Sequence, residues 1–368
     1  MTTRDFAHEN YCDEFGPAKI VHVYDPVTKM RSIIVVDNIA CGPAIGGVRM
    51  AADVTIDEVF RLARAMTLKN AAAGLPHGGG KAGIVADPKS ADKHVLVRAF
   101  ARAIRCLDEY IPGPDMGTDE TCMAWVHDET GRSVGLPRVL GGIPLDELGA
   151  TGYGLAKCAE VAAEFCELEL QGATVAIEGF GNVGQHAARF LAEYGVKLVA
   201  ASDSKGTVYD PDGFDIDRLI ALKHERRSVV ECSQAEILSR DQLFQIPCDI
   251  LVPAARPDSI HAGNVHGIQA RLILQGANIP ATVEVEKILH ERNILTIPDF
   301  IANAGGVICA AVEYQGGTEK GAFEAIAQKV MLNTRETLQR CTTTRQLPRE
   351  AAMDLARERV LEAMSYRV

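Results

Sequence analysis

Three things are missing from this chain, and each removes a class of function. None of its 10 cysteines stands in a Cys-x-x-Cys pair or a Cys/His cluster, which argues against a metal site and against a disulfide scaffold. Basic residues are in deficit, 38 Lys and Arg against 49 Asp and Glu, for a formal charge of −11. A sequence-independent nucleic-acid binder needs the opposite surplus to neutralise phosphates, so this charge reports mainly on solubility, with room left for a local basic pocket around a small anion. No run approaches the roughly 18 apolar residues of a membrane span. No apolar stretch follows Met1-Thr2-Thr3-Arg4-Asp5 either, so the expected compartment is a reducing cytoplasm. Internal repeats and low-complexity segments are also lacking.

What remains is a soluble globular mixture, 47% apolar and 24% charged. At 368 residues the chain is long for one core and ordinary for two domains with a cleft between them. Residues 18–24 and 31–36 are β-rich and separated by Asp25-Pro26, so they predict a hairpin opening a first sheet. Thr55-Ile56-Asp57-Glu58 is a capping box, and the helix it starts carries Val59, Leu62, Ala63 and Met66 on one face. Lys69 follows on that inward face. Gly74 ends the helix and leads into Leu75-Pro76-His77-Gly78-Gly79-Gly80-Lys81.

That glycine run predicts a loop whose backbone wraps closely around a ligand and holds one amine at it. Lys69 lies twelve positions upstream of Lys81. Two ammonium groups sharing one site depress each other's pKa, and a lysine neutral near pH 7 serves as a general base. The plain alternatives are a surface lysine after a flexible loop, for Lys81, and a solvated helix end complementing the dipole, for Lys69. Asp115, in Ile111-Pro112-Gly113-Pro114-Asp115-Met116-Gly117-Thr118, is either a proton carrier or a turn-former. His77 is given no role, because a histidine in such a place more often hydrogen-bonds backbone.

A second composition begins near Thr151. A strand over 173–178 is followed by Gly179-Phe180-Gly181-Asn182-Val183-Gly184, then by a helix from Gln185 to Tyr194 and a strand over 197–202. A G-x-G-x-x-G in that context satisfies the dinucleotide fingerprint, with a pyrophosphate set on the helix N-terminus after Asn182. The alternative is a glycine turn without a ligand. Asp203, nineteen residues past Gly184, is placed to accept from an adenosine ribose. That favours NAD over NADP, although Ser202, Ser204 and Lys205 are of a kind that binds a 2′-phosphate. Strands at 248–252 and 271–274 alternate with helical patterns, which predicts an α/β fold with a parallel, doubly wound sheet. The last stretch, with Phe323, Ile326, Ala327, Val330 and Met331 at helical spacing and a further helix after Pro348, is expected to return and brace the first domain.

Gly42-Pro43-Ala44-Ile45-Gly46-Gly47-Val48 and Asn303-Ala304-Gly305-Gly306-Val307-Ile308-Cys309-Ala310 are apolar, glycine-bearing segments. Facing each other they would make an apolar side-chain pocket; ordinary core packing is the other reading.

Taken together, from about residue 15 to 360, these motifs resemble the glutamate, leucine, phenylalanine and valine dehydrogenases. Met66-Thr67-Leu68-Lys69-Asn70-Ala71-Ala72 with Gly78-Gly79-Gly80-Lys81 is similar to the family's two-lysine motif. Pro114-Asp115-Met116-Gly117 is similar to its catalytic-aspartate segment, and Asn303-Ala304-Gly305-Gly306-Val307 to the motif near nicotinamide and substrate. The resemblance implies two domains: an N-terminal α/β domain for substrate binding and oligomerisation, 1–145 with 336–368, and a Rossmann NAD-binding domain, 146–335. It implies that Lys69 grips the substrate α-carboxylate, Lys81 activates water and Asp115 moves protons at the substrate nitrogen. Thr151, Asn278 and Asn303 would lie near the nicotinamide. The implied reaction is NAD-dependent conversion of an L-amino acid to the 2-oxo acid and ammonium, and its reverse, by a homo-oligomer.

Departures within the family concern the substrate. Glutamate dehydrogenases generally place a lysine where this chain has Ile45, a glutamine where it has Met66 and a serine where it has Ala310; the lysine and serine hold the distal carboxylate. Apolar residues there would leave that carboxylate buried and unpaired, a cost of several kcal/mol. The expected substrate is therefore an apolar, branched-chain or aromatic, L-amino acid, with Ile45, Gly46, Gly47, Met66, Val307 and Ala310 around it. Gly152-Tyr153-Gly154 and Ser202-Asp203-Ser204-Lys205-Gly206, by contrast, look more like glutamate dehydrogenases. Two alternatives stand beside this reading: glutamate dehydrogenase, and a catalytically silent nucleotide-sensing protein of the same fold.

Overall fold

The computed structural model describes residues 9–225, 227–232 and 235–367. The opening residues Met1–Asp5, used above for the compartment, lie outside them. The described chain groups into two compact units: residues up to Pro144 with Ala310–Glu319 and the chain from Leu355, and Leu145–Cys309 with Lys320–Asp354.

The first unit begins with β1 (Lys19–Tyr24) and β2 (Arg31–Asn38), which pair antiparallel as the hairpin predicted, Tyr24 opposite Arg31. Next come β3 (Ala44–Ala51), α1 (Ile56–Ala72), β4 (Gly78–Val85), α2 (Lys93–Ala103), β5 (Tyr110–Pro114) and α3 (Glu120–Thr130). Among the described residues they form a five-stranded sheet in the order β1-β2-β4-β3-β5, with β3 parallel to both β4 and β5. Thr55 supplies its half of the capping box, accepting from the Glu58 N–H at 3.3 Å, while the Glu58 carboxylate bonds Arg49. One face of the sheet buries Met30, Ile34, Phe100, Tyr110 and Met123; the other packs Val35 on Val59 and Ala63 of α1.

The second unit runs through α4 (Leu145–Leu148), α5 (Ala150–Phe165), β6 (Thr174–Glu178), α6 (Asn182–Ala192), β7 (Lys197–Ser202), β8 (Thr207–Tyr209), α7 (Ile216–His224) and β9 (Glu236–Leu238). It continues with β10 (Ile250–Pro253), β11 (Leu272–Leu274), α8 (Val283–Glu291), β12 (Leu295–Ile297), α9 (Asp299–Ala302), the start of α10 (Gly305–Tyr314), most of α11 (Glu319–Thr344) and the start of α12 (Pro348–Ser365), the rest of α10 and α12 belonging to the first unit. The sheet order is β12-β11-β10-β6-β7-β8-β9. The five strands from β12 to β7 are parallel, as alternation predicts, but β8 and β9 extend the sheet antiparallel. β6 is flanked by β7 on one side and β10 on the other, so the strand order reverses there, and in open α/β sheets ligands bind outside the carboxyl ends at such a point.

The structure draws the C-terminal division elsewhere than residue 336. Most of α11 stays with the second unit, where Thr334 donates to the Cys158 sulfur at 3.5 Å and Phe323 meets the Tyr153 ring edge-on. After α11 the chain rejoins the first unit from Leu355, within α12, where Arg359 donates to the carbonyls of Ala71 and Ala72 at 3.0 and 2.8 Å.

Candidate active site

Gly78, Gly79 and Gly80 are not a loop but the start of β4, paired with β2 and β3, and none of them adopts a positive φ. What they supply is the lack of a side chain. A Cβ on Gly79 would overlap the Thr67 backbone nitrogen of α1, and one on Gly80 would come within 2.9 Å of the Tyr110 ring. The run therefore lets α1 lie directly on β4, where Asn70 Nδ2 donates to the Gly78 carbonyl at 2.7 Å. Lys69 and Met66 sit half-buried in the last turns of that helix.

Lys81, buried in mid-strand, points its Nζ to 2.5 Å from Asp115 Oδ2. Its charge partner is thus a carboxylate. Asp115 follows β5 directly, so it must cross β3 to reach β4. It does so over Gly47, while a Cβ on the neighbouring Gly46 would overlap the Gly80 carbonyl; both carbonyls accept from the Tyr110 hydroxyl, at 3.3 Å for Gly47 and 2.8 Å for Gly46. The Asp115 backbone also makes the turn expected of it, with its N–H donating to Thr118 Oγ1 at 2.9 Å. Burial opposes the charge on the carboxyl. The Lys81 ammonium outweighs that burial, helped by the Met116 N–H and by Arg49 at 3.6 Å, and holds Asp115 below the usual aspartate value. His77 is buried, its Nδ1 3.1 Å from the Pro43 carbonyl, and burial lowers its pKa.

Ile45 and Ala310 come together. With Ile111 and Val134 they form a separate buried apolar cluster, Ile45 5% exposed and Ala310 9%. Val307, earlier on the same helix, and Met66 are half-buried and outside this cluster. Sequence reasoning missed Glu313, whose carboxylate accepts from the Leu136 and Ile143 N–H groups at 3.0 and 2.9 Å and so fixes the loop that carries Val134. Its carboxylate is separated from those groups by more than 160 residues, and no local pattern announces it.

In the second unit the three fingerprint glycines have distinct reasons. Gly179 turns at φ +89°, a conformation glycine adopts freely. A Cβ on Gly184 would overlap the Gly179 carbonyl, so that glycine allows close packing of helix on strand. At Gly181 a Cβ would meet nothing within 4 Å. The protein's own packing does not require glycine there, whereas close approach of a pyrophosphate does. α6 begins at Asn182 with no side-chain cap on its first N–H groups, and such a terminus suits an anion. These features fit a dinucleotide. Phe180 departs from its expected place: its side chain is fully buried and only its backbone lies on the turn. Val183 is half-buried in the first turn of α6.

A pocket of about 370 Å³ opens at the carboxyl ends of β6, β7 and β10, lined by Glu178, Gly179, Gly181, Asp203 and Ser204 and by three cations, Lys223, Arg240 and Arg256. Asp203 stands where expected, but its acceptors are already filled. Oδ1 accepts from the Lys205 N–H and Ser228 Oγ, each at 2.9 Å, and Oδ2 from Lys223 Nζ at 2.7 Å and the Val229 N–H at 3.0 Å. A carboxylate has about four such positions, which leaves none for a ribose hydroxyl. Burial of Glu178 raises its pKa, against a long bond from the Ala255 N–H at 3.4 Å. Arg256 was findable, since it follows β10 at the strand-order reversal; Lys223 and Arg240 carried no sequence signal.

Thr151, Asn278 and Asn303 lie at the same carboxyl edge. Asn303 Nδ2 donates to Asn278 Oδ1 at 2.9 Å and to the Gly276 carbonyl at 3.3 Å, and Gly306 packs close to Thr151 Oγ1. Ile279, next to Asn278, has φ +49°, a conformation costing on the order of 1–3 kcal/mol for a β-branched residue. Among the described residues no group of His, Cys, Asp and Glu could hold a metal, and no helix is long and apolar enough to cross a membrane.

Residues 141–367 match the family model described as Glutamate/Leucine/Phenylalanine/Valine dehydrogenase, and residues 17–132 match that of the Glu/Leu/Phe/Val dehydrogenase dimerisation domain. The glutamate dehydrogenase of Aeropyrum pernix is 39% identical over 355 residues, 90% of this chain and 85% of that protein. The catabolic NAD-specific glutamate dehydrogenase of Bacillus subtilis is 38% identical over 327 residues, 83% of this chain and 77% of that one. Among solved structures, the hetero-hexameric glutamate dehydrogenase of Thermus thermophilus in a Leu-bound form superposes with TM-score 0.83 at 29% identity, over 96% of this chain and 90% of that one. L-tryptophan dehydrogenase of Nostoc punctiforme gives 0.78 at 25% identity, over 95% and 98%. The two-domain α/β fold is the same, and both family models match in order along the chain. The chain belongs to the glutamate, leucine, phenylalanine and valine dehydrogenase family.

Proposed function

We propose that this protein catalyses oxidative deamination of an L-amino acid to the 2-oxo acid and ammonium, and the reverse reductive amination, with a nicotinamide dinucleotide. The observation that carries this is the Lys81–Asp115 pair, in which Lys81 is buried and Asp115 is half-buried against Gly47. A joined ammonium and carboxylate can hold and release protons where an amine and a water must exchange at one carbon. Lys81 activates the water, Asp115 exchanges protons with the substrate nitrogen, and Lys69 binds the α-carboxylate. The dinucleotide supplies the hydride acceptor when bound. Gly179, Gly181 and the start of α6 hold its pyrophosphate, with Thr151, Asn278 and Asn303 at the nicotinamide. Lys81→Ala should abolish turnover; unchanged turnover would mean that Lys81 takes no part in it, and an absence of turnover in the unmodified chain would favour the nucleotide-sensing alternative.

Two readings of the substrate side chain stand against each other. The relatives' names support glutamate more strongly than they support any apolar amino acid. The geometry of the first unit supports an apolar one, because Ile45 and Ala310 stand in an apolar cluster where glutamate dehydrogenases generally carry a lysine and a serine. For the cofactor we read NAD, supported by the NAD-specific relative, but not by Asp203 as a ribose acceptor. NADP is the second reading, favoured by Lys223, Arg240 and Arg256 on one pocket. Initial rates with leucine, valine, phenylalanine, tryptophan and glutamate, each with NAD⁺ and NADP⁺, decide both. Turnover of glutamate alone would overturn the apolar reading. We place the enzyme in the cytoplasm as a homo-oligomer assembled through its first domain.

A further inference from the structure

Ile279 holds a left-handed conformation, φ +49°, that a β-branched residue avoids unless its surroundings impose it. The imposing groups are identifiable. Its N–H donates to Asp299 Oδ2 at 3.0 Å, and its carbonyl accepts from the Asp258 N–H at 3.0 Å. The other Asp299 oxygen accepts from Arg349 Nη2 at 3.0 Å. Arg349 enters from the first turn of α12 and is clamped by Glu286, through Nε and Nη2 at 2.8 Å each, and by Gln275 Oε1 at 2.9 Å. Gln275 closes the ring by donating to Glu286 Oε1 at 2.7 Å and accepting from the Asp299 N–H at 3.0 Å. Gln275, Glu286 and Asp299 are all buried.

The ring reaches both asparagines. The Asp299 carbonyl accepts the Asn303 N–H at 2.7 Å, and its side chain fixes the peptide plane between Asn278 and Ile279. Asn278 is in turn bonded to Asn303. Without the carboxylate, Ile279 relaxes toward negative φ; the 278–279 peptide plane then rotates and the Asn278–Asn303 bond is lost.

We propose that Arg349, acting through Asp299, is a positioning residue for the Asn278–Asn303 pair, so that its loss loosens the nicotinamide half of the cofactor and spares the ADP-ribose half. This rests on the reading that the two asparagines face the nicotinamide. The test uses the full-length chain and two probes, NADH by fluorescence titration and ADP-ribose by calorimetry. Arg349→Met and Asp299→Leu, which keeps the side-chain shape and removes the acceptor for the Ile279 N–H, should each raise the NADH Kd about tenfold, about 1.4 kcal/mol, with the ADP-ribose Kd within twofold. Retained ADP-ribose binding also reports that the unit is folded. Adding Ile279→Gly to Arg349→Met should recover most of the NADH affinity, because glycine takes this φ without being held there. Equal weakening of both probes would overturn the positioning role and leave the cofactor reading standing. So would no weakening of either while Asn278→Ala weakens NADH alone. If Asn278→Ala affects NADH no more than ADP-ribose, the asparagines do not face the nicotinamide, and both readings fall.

Discussion

A Cβ on Gly47 would stand 2.7 Å from Asp115 Cβ, so the aspartate reaches Lys81 only because β3 has no side chain at that point. Gly47 has an ordinary strand backbone, so Gly47→Ala brings no φ penalty. The collision falls on Asp115. An ångström of displacement in a catalytic pair is enough to lower a rate about 10²-fold. Gly47→Ala is therefore expected to reduce kcat about 100-fold while the melting temperature falls by only a few degrees. A variant with full activity would show that the contact between Asp115 and Lys81 is not needed for turnover.

The same pair gives a pH signature. Asp115 is held below its ordinary value of 3.8, so its contribution to stability is fully present above that value and is lost as pH falls through the lower folded value. In Lys81→Met the burial that opposes the charge remains and its main counterweight is gone. The variant then carries an ill-compensated carboxylate at neutral pH, which protonation relieves in acid. The melting-temperature gap between the two proteins should be wide at pH 7 and narrow toward pH 4. A gap that is constant or widens in acid would refute the pairing.

What could be read from the sequence was what local pattern encodes. The strand, glycine turn and helix from Thr174 to Ala192 lie nearly where alternation and the fingerprint put them, because each glycine answers to neighbours within a few residues. The run Gly78–Gly80 misled for a physical reason. Glycine serves either to free φ or to remove a side chain, and only the position of α1 above β4 tells which. Asp203 was found, but not most of the groups that fill its acceptors: besides the Lys205 N–H, these come from 20 to 26 residues later. The three-residue strands β8 and β9 are too short for any periodicity to register. Arg349 and Glu286, 63 residues apart, meet through tertiary packing alone.

On the apolar reading proposed above, the substrate side chain meets Ile45 and Ala310. Replacing both, Ile45→Lys with Ala310→Ser, puts a cation and a hydroxyl into a cluster whose other members, Ile111 and Val134, are apolar. If the cluster faces the substrate side chain, the ratio of kcat/KM for glutamate over leucine rises at least tenfold, about 1.4 kcal/mol of discrimination. The unliganded variant should be less stable, because its lysine is buried without a partner until a distal carboxylate arrives. Glutamate should then raise its melting temperature more than leucine does. A variant that loses both substrates equally would show that Ile45 only packs.

On the NADP reading proposed above, Lys223 is one of three cations that would meet the 2′-phosphate. Its ammonium neutralises Asp203 at 2.7 Å and also lines the pocket with Arg240 and Arg256. Burial opposes the Asp203 charge, but Lys223 and the surrounding N–H groups hold its carboxyl below the ordinary value. Lys223→Ala leaves that carboxylate half-compensated at the place where a 2′-phosphate would lie, and removes one of three cations that would attract it. NAD⁺ brings no charge to that position, so its kcat/KM should stay within about threefold, whereas that for NADP⁺ should fall at least tenfold. Equal losses with both cofactors would mean that Lys223 serves only to hold Asp203 and the segment around Ser228 in place. The discrimination between cofactors would then lie with Arg240 and Arg256.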